Sequence, residues 1–246
     1  MRFYRCFFTG MDEAGVYIAN TNGQSKSHTF LDCSFSSSKH GIRTRSGSFQ
    51  IYSSTFGQLD TAIRLGIPTD NILIMDVDSE GCRQFLSTDG GTNGYWPISI
   101  IGGRFSIKYC VPGLPYINYT DGGPLLITGA LFESYTEPSA IDFKIKASTP
   151  SPGSMLVAIG NGFPNDAPFD VGTMHGRVVA LGNRGYSGSS PMHLADQFSN
   201  YLGAEGRFMI GELSGDGSGY VCVDGDGTLY RSVSPCTVAG ESVLDD

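Results

Sequence analysis

The chain has few charged side chains and little of what most catalytic or binding motifs require. Charged residues make up 16% of its 246 residues, which include only 4 histidines, 6 cysteines and 1 tryptophan. Six cysteines are too few for a disulfide scaffold of this size. No run of about 18 apolar residues occurs, so no membrane insertion is predicted. The net charge of −8 argues against a nucleic-acid partner, although a local arginine cluster can still attract an acidic polysaccharide.

Targeting and cofactor signatures are also missing. The first residues lack the basic, apolar and small-residue order of a secretory signal, and Met1 leads directly into residues with strand character. We therefore expect additional N-terminal sequence before Met1 in the complete protein. There is no phosphate-binding loop, no paired Cys-x-x-Cys zinc signature and no Gly-x-Ser-x-Gly elbow.

What the chain does contain is an internal repeat, together with 34 glycines that suit many tight turns. Residues 29–45 run TFLDCSF, a polar turn and GIRTR, and residues 50–65 repeat this order as QIYSSTF, a turn and AIRL. Phe35 and Phe56 take the same place in the two passes. We call this place, between the first and second strand of each repeat, the corner. An aromatic residue or its substitute recurs at the corner about every 25 residues: Phe8, Phe35, Phe56, Ser79, Phe105, Phe132, Phe163 and Tyr186.

Each corner follows an alternating strand and precedes a second short strand. The period of two excludes a helical solenoid, and a β-sandwich would not keep so steady an interval. In a parallel β-helix each coil lays its inward residues on those of the coil below. The sequence therefore predicts an all-β fold, a right-handed parallel β-helix of about eight coils.

The apolar strand that ends near Cys/Gly-x-Phe, followed by a Gly-Ile strand, resembles the pectate-lyase-like superfamily over about residues 1–195. That superfamily includes polysaccharide lyases, polygalacturonase-like hydrolases and phage tailspike depolymerases. The resemblance implies a polysaccharide partner and an extracellular, virion-surface or cell-surface location. We assign residues 1–196 to the β-helix and residues 197–246 to a C-terminal cap with a β-hairpin around Asp224-Gly225-Asp226-Gly227.

Three finer structural expectations accompany this assignment. Cys6 and Cys33 fall at matching repeat positions and are predicted to stack as small residues in the interior. Asn161 and Asn183 follow equivalent glycines and are predicted to form a buried amide ladder. The hairpin lies between Cys222 and Cys236, which leaves a disulfide open.

In this superfamily the strand after the corner lines the functional groove. Its central side chain points outward because the neighbouring side chains point inward. Reading that position along the stack gives an outward row, with Gln84 or Leu86 open for the fourth coil: Tyr17, Arg43, Arg64, Asn118, Asp142, Asp170 and His193.

A second row precedes these strands and contains Glu13, Lys39, His40 and Asp60. His40-Gly41 resembles part of the Gly-His-Gly motif of the polygalacturonase-like branch, but no Asn-Thr-Asp and no Asp-Asp pair precedes a groove strand. Glu13 and Asp60, two coils apart, would lie about 9.6 Å apart, near the spacing of an inverting glycosidase.

Two further chemistries stay open. Asp142 and Asp170, one coil apart, would lie about 5 Å apart, as in a retaining pair or a Ca²⁺ site. A lyase needs a cation and a base, and Arg43, Arg45, Arg64, His40 and Tyr17 supply such a set.

Two functions follow. The first is a carbohydrate-active β-helix that binds and cleaves an extracellular polysaccharide by a lyase or a hydrolase reaction. No residue is assigned as a metal ligand, and Ca²⁺ stays open as a cofactor. The catalytic residues of this first candidate are Glu13, His40, Asp60 and Arg43, and its substrate-binding residues are Tyr17, Arg45, Arg64, Asn118, Asp142 and Asp170. The second is a non-catalytic segment of a surface protein, an adhesin or a phage tail fibre, which would form a homotrimer.

Overall fold

A computed structural model describes residues 1–19, 27–68, 71–88, 97–107, 113–119, 123–134, 143–147, 155–164, 168–170 and 178–185, and four later strands. All regular secondary structure in these residues is β-strand. Within the same residues there is no helix long and apolar enough to cross a membrane. The predicted all-β parallel β-helix is confirmed by three parallel sheets, which we name sheets A, B and C.

Each of the first seven coils contributes one strand to each sheet in the order A, B, C, and the described part of coil 8 contributes one strand each to sheets A and B; we number the coils from 1. Sheet A consists of Arg2–Tyr4 (β1), His28–Leu31 (β4), Phe49–Tyr52 (β7), Ile72–Met75 (β10), Ile98–Ile101 (β13), Leu125–Thr128 (β16), Leu156–Ile159 (β19) and Val178–Leu181 (β22). Sheet B consists of Phe7–Thr9 (β2), Ser34–Ser36 (β5), Thr55–Gly57 (β8), Asp78–Glu80 (β11), Arg104–Ile107 (β14), Leu131–Ser134 (β17), Gly162–Phe163 (β20) and Arg184–Gly185 (β23). Sheet C consists of Ala14–Ile18 (β3), His40–Gly47 (β6), Thr61–Pro68 (β9), Gln84–Thr88 (β12), Ile117–Asn118 (β15), Ile145–Lys146 (β18) and Phe169–Asp170 (β21).

Two small antiparallel sheets follow in the segment predicted as the cap. Tyr201–Leu202 (β24) pairs with Phe208–Met209 (β25), and Tyr220–Val223 (β26) pairs with Leu229–Ser232 (β27). The second pair is the predicted hairpin. Cys236 lies outside the described residues, so its disulfide with Cys222 stays a prediction.

The turn from sheet A into sheet B has a left-handed residue at the same position in every coil, with φ between 45° and 65°, and coil 5 adds Gly103 with φ 89°. In chain order these residues are Arg5, Asp32, Ser53, Asp76, Gly102, Gly129, Gly160 and Gly182. Glycine adopts this conformation without a Cβ penalty, whereas other residues lose about 1 kcal/mol or more. This turn is therefore a constant of the fold, and its residue type changes to glycine from coil 5 onward.

The interior is a stack of aromatic rings. Phe35 stacks on Phe8 and Phe56 with ring centroids 5.0 and 4.9 Å apart, and Phe132 stacks on Phe105 and Phe163 at 4.7 and 5.3 Å. These corner positions are as predicted. In the last coil Gly185, rather than the predicted Tyr186, pairs with Phe163, and Tyr186 lies outside the described residues.

Coil 4 breaks the stack and repairs it from another sheet. Ser79 takes the corner position, and the Phe85 ring of β12 fills the space, 5.9 Å from Phe56 and 4.7 Å from Phe105. The position of Phe85 is occupied by small residues in the coils below, and a Cβ on Gly41 would lie 3.0 Å from the Phe56 ring. Coils 2 and 3 thus combine a large corner residue with a small residue on sheet C, and coil 4 combines a small corner residue with a large residue on sheet C.

Polar and thiol side chains also stack along the axis. The predicted asparagine ladder is confirmed, because Asn161 Nδ2 donates to Asn183 Oδ1 at 2.9 Å and Asn183 Nδ2 donates to the Ala158 carbonyl at 2.9 Å. Cys33 is buried and Cys6 in the edge coil is half-buried, and both are free thiols. Burial raises the pKa of the Cys33 thiol.

Candidate functional site

The outward row of sheet C forms one line of side chains along the rod. Strand pairing places seven residues in register: Tyr17, Arg43, Arg64, Ser87, Asn118, Lys146 and Asp170. Five of these were predicted for this row from the sequence. Their neighbours Ile42, Ile63 and Leu86 are fully buried, which confirms the alternation that directs the row outward.

Two positions of the row differ from the prediction. In coil 4 the outward residue is Ser87, because Gln84 and Leu86 are both buried and the Gln84 amide donates to the Pro115 carbonyl at 2.8 Å. In coil 6 it is Lys146, because Ile145 rather than Ile141 continues the inward row beneath Ile117.

The predicted row neighbour of Asp170 is therefore wrong. Asp170 pairs with Lys146. Asp142 lies outside the described residues, and its role with Asp170 at a Ca²⁺ site or in a retaining pair stays a prediction. His193 also lies outside the described residues.

Glu13 is the centre of a cluster of basic side chains between coils 1 and 2. Its carboxylate lies 2.5 Å from Arg43 Nη1, 3.6 Å from Lys39 Nζ and 4.0 Å from His40 Nε2. The strand register explains this, because Ala14 pairs with His40 and so places Glu13 beside Lys39. The Arg43 guanidinium also lies 5.8 Å from the centre of the Tyr17 ring, which is 56% exposed. Glu13 therefore orients Arg43 against an accessible aromatic face.

His40 lies beneath this cluster with only 3% of its side chain exposed. Its Nε2 is 3.3 Å from Arg64 Nη1, and its Nδ1 has no hydrogen-bond partner in the described part of the chain. Burial and then the Arg64 charge lower the pKa of His40, with Glu13 partly opposing them. His40 is consequently neutral at pH 7. Because a guanidinium can only donate, Nε2 accepts from Arg64 and the ring proton is assigned to Nδ1.

Asp60 belongs to a different contact. It forms an ion pair with Arg83 at 3.3 Å, and both side chains are more than half exposed. Glu13, Lys39, Asp60 and Arg83 each precede a paired strand residue of sheet C and form one row of alternating charge. Each of the two predicted catalytic carboxylates is therefore engaged by a basic residue of the next coil. We had not predicted Arg83, although its position before β12 matches that of Asp60 before β9.

Positive charge is concentrated in the first three coils of this face. Lys39, Arg43, Arg45 and Arg64 outnumber Glu13 and Asp60 there, in a chain whose net charge is −8. Arg45 is exposed two residues beyond Arg43 on β6. In the later coils the outward row continues with the neutral residues Ser87 and Asn118. Lys146 and Asp170 follow, one positively and one negatively charged.

The described residues contain no group of three or more histidine, cysteine, aspartate or glutamate side chains that could hold a metal ion. Comparison with known protein families, with curated proteins and with solved structures finds no match to this chain. Fold and site together define a class of protein: a parallel β-helix with a basic, aromatic-flanked patch on one sheet.

Proposed function

We propose that the chain binds an acidic extracellular polysaccharide across the outward face of sheet C, centred on coils 1–3. The observation that carries this proposal is the group of basic residues around Arg43 and Arg64 beside the exposed ring of Tyr17, in a chain that is otherwise acidic. A local positive surface attracts an anionic ligand even when the net charge of the protein is negative.

The side chains suit such a ligand chemically. Arginine guanidinium groups bind carboxylate oxygens in pairs, and an exposed tyrosine ring offers an apolar face for a sugar. Coils repeat at about 4.8 Å, so successive outward residues can meet successive parts of an extended chain. The resemblance to the pectate-lyase-like superfamily supports the same ligand class and an extracellular, virion-surface or cell-surface location.

Within this proposal the neighbouring groups position the arginines. Glu13 holds Arg43 at 2.5 Å and His40 faces Arg64 at 3.3 Å. Asp60 takes part through its ion pair with Arg83, at the margin of the patch. Asn118 and Asp170 extend the binding row beyond the basic coils.

Cleavage by a lyase reaction is the second candidate, favoured by the contact between His40 and Arg64. A lyase needs a cation that neutralises a uronate carboxylate and a base that removes the neighbouring proton. A neutral imidazole against a guanidinium supplies both groups. Because His40 is buried, Arg64 would have to move before the ligand could reach Nε2.

A screen of polyuronates and capsular glycans by titration calorimetry tests the binding proposal. We expect at least one acidic glycan to bind, more weakly at higher salt, and Arg43→Ala and Arg64→Ala to weaken it. Arg104→Ala is the matched control, because Arg104 forms an ion pair with Glu133 on sheet B at 2.8 Å. Failure of every acidic glycan to bind, or an equal loss in the Arg104 variant, would contradict the proposal.

The same samples, assayed for new double bonds by ultraviolet absorbance and for reducing ends, separate the two candidates. Turnover that is lost in His40→Gln while the glycan still binds supports a lyase. Tight binding without turnover assigns binding alone.

A further inference from the structure

The outward face of sheet A has the same coil-by-coil register as the candidate site on sheet C, but most of its side chains are apolar. One in-register residue from each coil forms a line along the rod, which we call the sheet A ridge: Tyr4, Leu31, Tyr52, Met75, Ile101, Thr128, Ile159 and Leu181. From coil 4 onward a second outward line accompanies it: Leu73, Ser99, Leu126, Val157 and Val179. None of these residues is charged, whereas in coils 1–3 the second line consists of Arg2, Thr29 and Gln50.

These side chains point away from the interior. The alternating residues Ile74, Ile100 and Ile127 are fully buried, whereas Leu31, Ile159 and Leu181 on the ridge are 39–49% exposed. A sheet face that meets only water carries polar side chains at such positions. A face with one mainly apolar line along the whole rod, and a second from coil 4 onward, therefore calls for a covering surface.

The other two sheets provide an internal comparison. In the same coils the outward positions of sheet B include charged residues, among them Asp78, Glu80, Arg104 and Glu133. Sheet C has its row of basic and acidic residues. Apolar outward side chains of this density are thus confined to one of the three described faces.

We propose that the outward face of sheet A is a self-association surface, and that it is covered by sheet A of a second copy of this chain. The partner must present apolar ridges with the same repeat of about 4.8 Å, and an identical sheet does so by construction. Two chains of net charge −8 repel each other least where they meet through faces without acidic residues, and the outward strand positions of sheet A include none. Sheets packed in this way lie about 10 Å apart with their strands nearly aligned.

The size of the face sets the expected strength of the contact. Seven coil steps and four residues per strand give a footprint of about 34 by 13 Å, or about 440 Å² per copy. Two such footprints fall near the lower limit of specific interfaces, at about 1,000 Å² in total. We therefore expect reversible association that depends on protein concentration.

Sedimentation velocity of the full chain over a hundredfold concentration range tests the proposal. We expect the mass to rise from that of the 26.3 kDa chain to that of a dimer. Leu126→Glu places a charge in the middle of the apolar face and is expected to weaken association by ~100-fold or more. Leu131→Glu is the matched control, because Leu131 is a half-buried outward leucine of the same coil on sheet B.

Each other outcome overturns the assignment: a parent chain that stays monomeric, association unchanged in Leu126→Glu, or an equal loss in both variants. Circular dichroism and thermal unfolding establish that the two variants fold alike. Should the glutamate variants unfold, Leu126→Gln and Leu131→Gln serve in their place, and only the first is expected to weaken association.

Discussion

The outward faces of sheets A and C are built on the same coils and the same register, yet their side chains differ in kind. On sheet A the line through Met75 and Ile101 is uncharged along the whole rod. On sheet C the line through Arg43 and Arg64 is charged and is fixed by contacts with Glu13 and His40. The coil sets only where an outward side chain lies, so the choice of residue at that place determines what each face can bind.

The comparison also separates residues that support the fold from residues that serve a face. Phe85 and the corner phenylalanines hold both faces in place, because the same aromatic stack lies behind them. Tyr17, Arg43 and Arg64 contribute to sheet C alone. Variants of the first kind should disable both faces together, and variants of the second kind should disable one.

The largest effect is expected from Phe85→Ala. Removing a fully buried ring that replaces the missing corner phenylalanine should cost about 3–5 kcal/mol of unfolding free energy. Both faces should then fail together. Adding Ser79→Phe restores the arrangement of coils 2 and 3 and should recover part of the loss. Urea unfolding measures both values, and a loss below about 1 kcal/mol in Phe85→Ala would contradict the account of coil 4.

A smaller and face-specific effect is expected from Arg43→Ala. Loss of a charged hydrogen bond to an acidic glycan should weaken binding by about 10- to 100-fold, from ~1.5–3 kcal/mol. Self-association should not change, because Arg43 lies on sheet C. Calorimetry and sedimentation velocity on the same preparation measure the two properties. If the variant also dissociated, the two faces would not be independent.

A pH dependence of stability should arise from His40 on sheet C. The pKa of His40 is lowered below 6.5 in the folded chain, because burial and the Arg64, Arg43 and Lys39 charges disfavour its protonation more than Glu13 favours it. The unfolded chain therefore binds the proton first as the pH falls. The contribution of His40 to stability is complete above pH 6.5 and is lost as the pH falls from there toward the lowered pKa.

Urea unfolding between pH 7.5 and pH 5 measures this slope, which cannot exceed about 1.4 kcal/mol per pH unit for one group. His40→Gln should flatten the curve. An identical slope in that variant would show that other groups cause the dependence.

The smallest effect is expected from Asp60→Asn. The pair between Asp60 and Arg83 is exposed on both sides, and such pairs contribute about 0–1 kcal/mol. Glycan binding should change little, and stability should change by less than about 1 kcal/mol, as measured by calorimetry and urea unfolding. A complete loss of turnover in an active preparation would instead restore Asp60 to a catalytic role.

The fold could be predicted because the pattern of apolar residues specifies it directly. A corner phenylalanine and an inward isoleucine recur in most coils, and stacking requires them to lie over one another. The first three outward residues of the row followed from the same alternation. The asparagine ladder also followed, since two equivalent glycines fix the positions of Asn161 and Asn183.

The predicted register is wrong where two alternating patterns compete. Residues 141–143 and 145–146 both alternate, and the sequence does not reveal that Ile145 pairs with Ile117. In coil 4 the small residue Ser79 stands at the corner and the large residue Phe85 stands on sheet C. Because this reverses the usual order, the sequence pattern did not identify Ser87 as the outward residue. The ion pairs of Glu13 and Asp60 depend on side-chain reach between coils. They became visible only with the alternating row that includes Lys39 and Arg83.

The most direct test of the account is sedimentation velocity of the chain with a fluorescent oligosaccharide from the tightest-binding polyuronate, which reports mass and bound ligand together. We predict that Leu126→Glu gives a monomer that still carries the oligosaccharide. We predict that Arg43→Ala combined with Arg64→Ala gives an associated chain without it. Loss of both properties in either variant, or retention of both in each, would contradict the assignment of separate roles to sheets A and C.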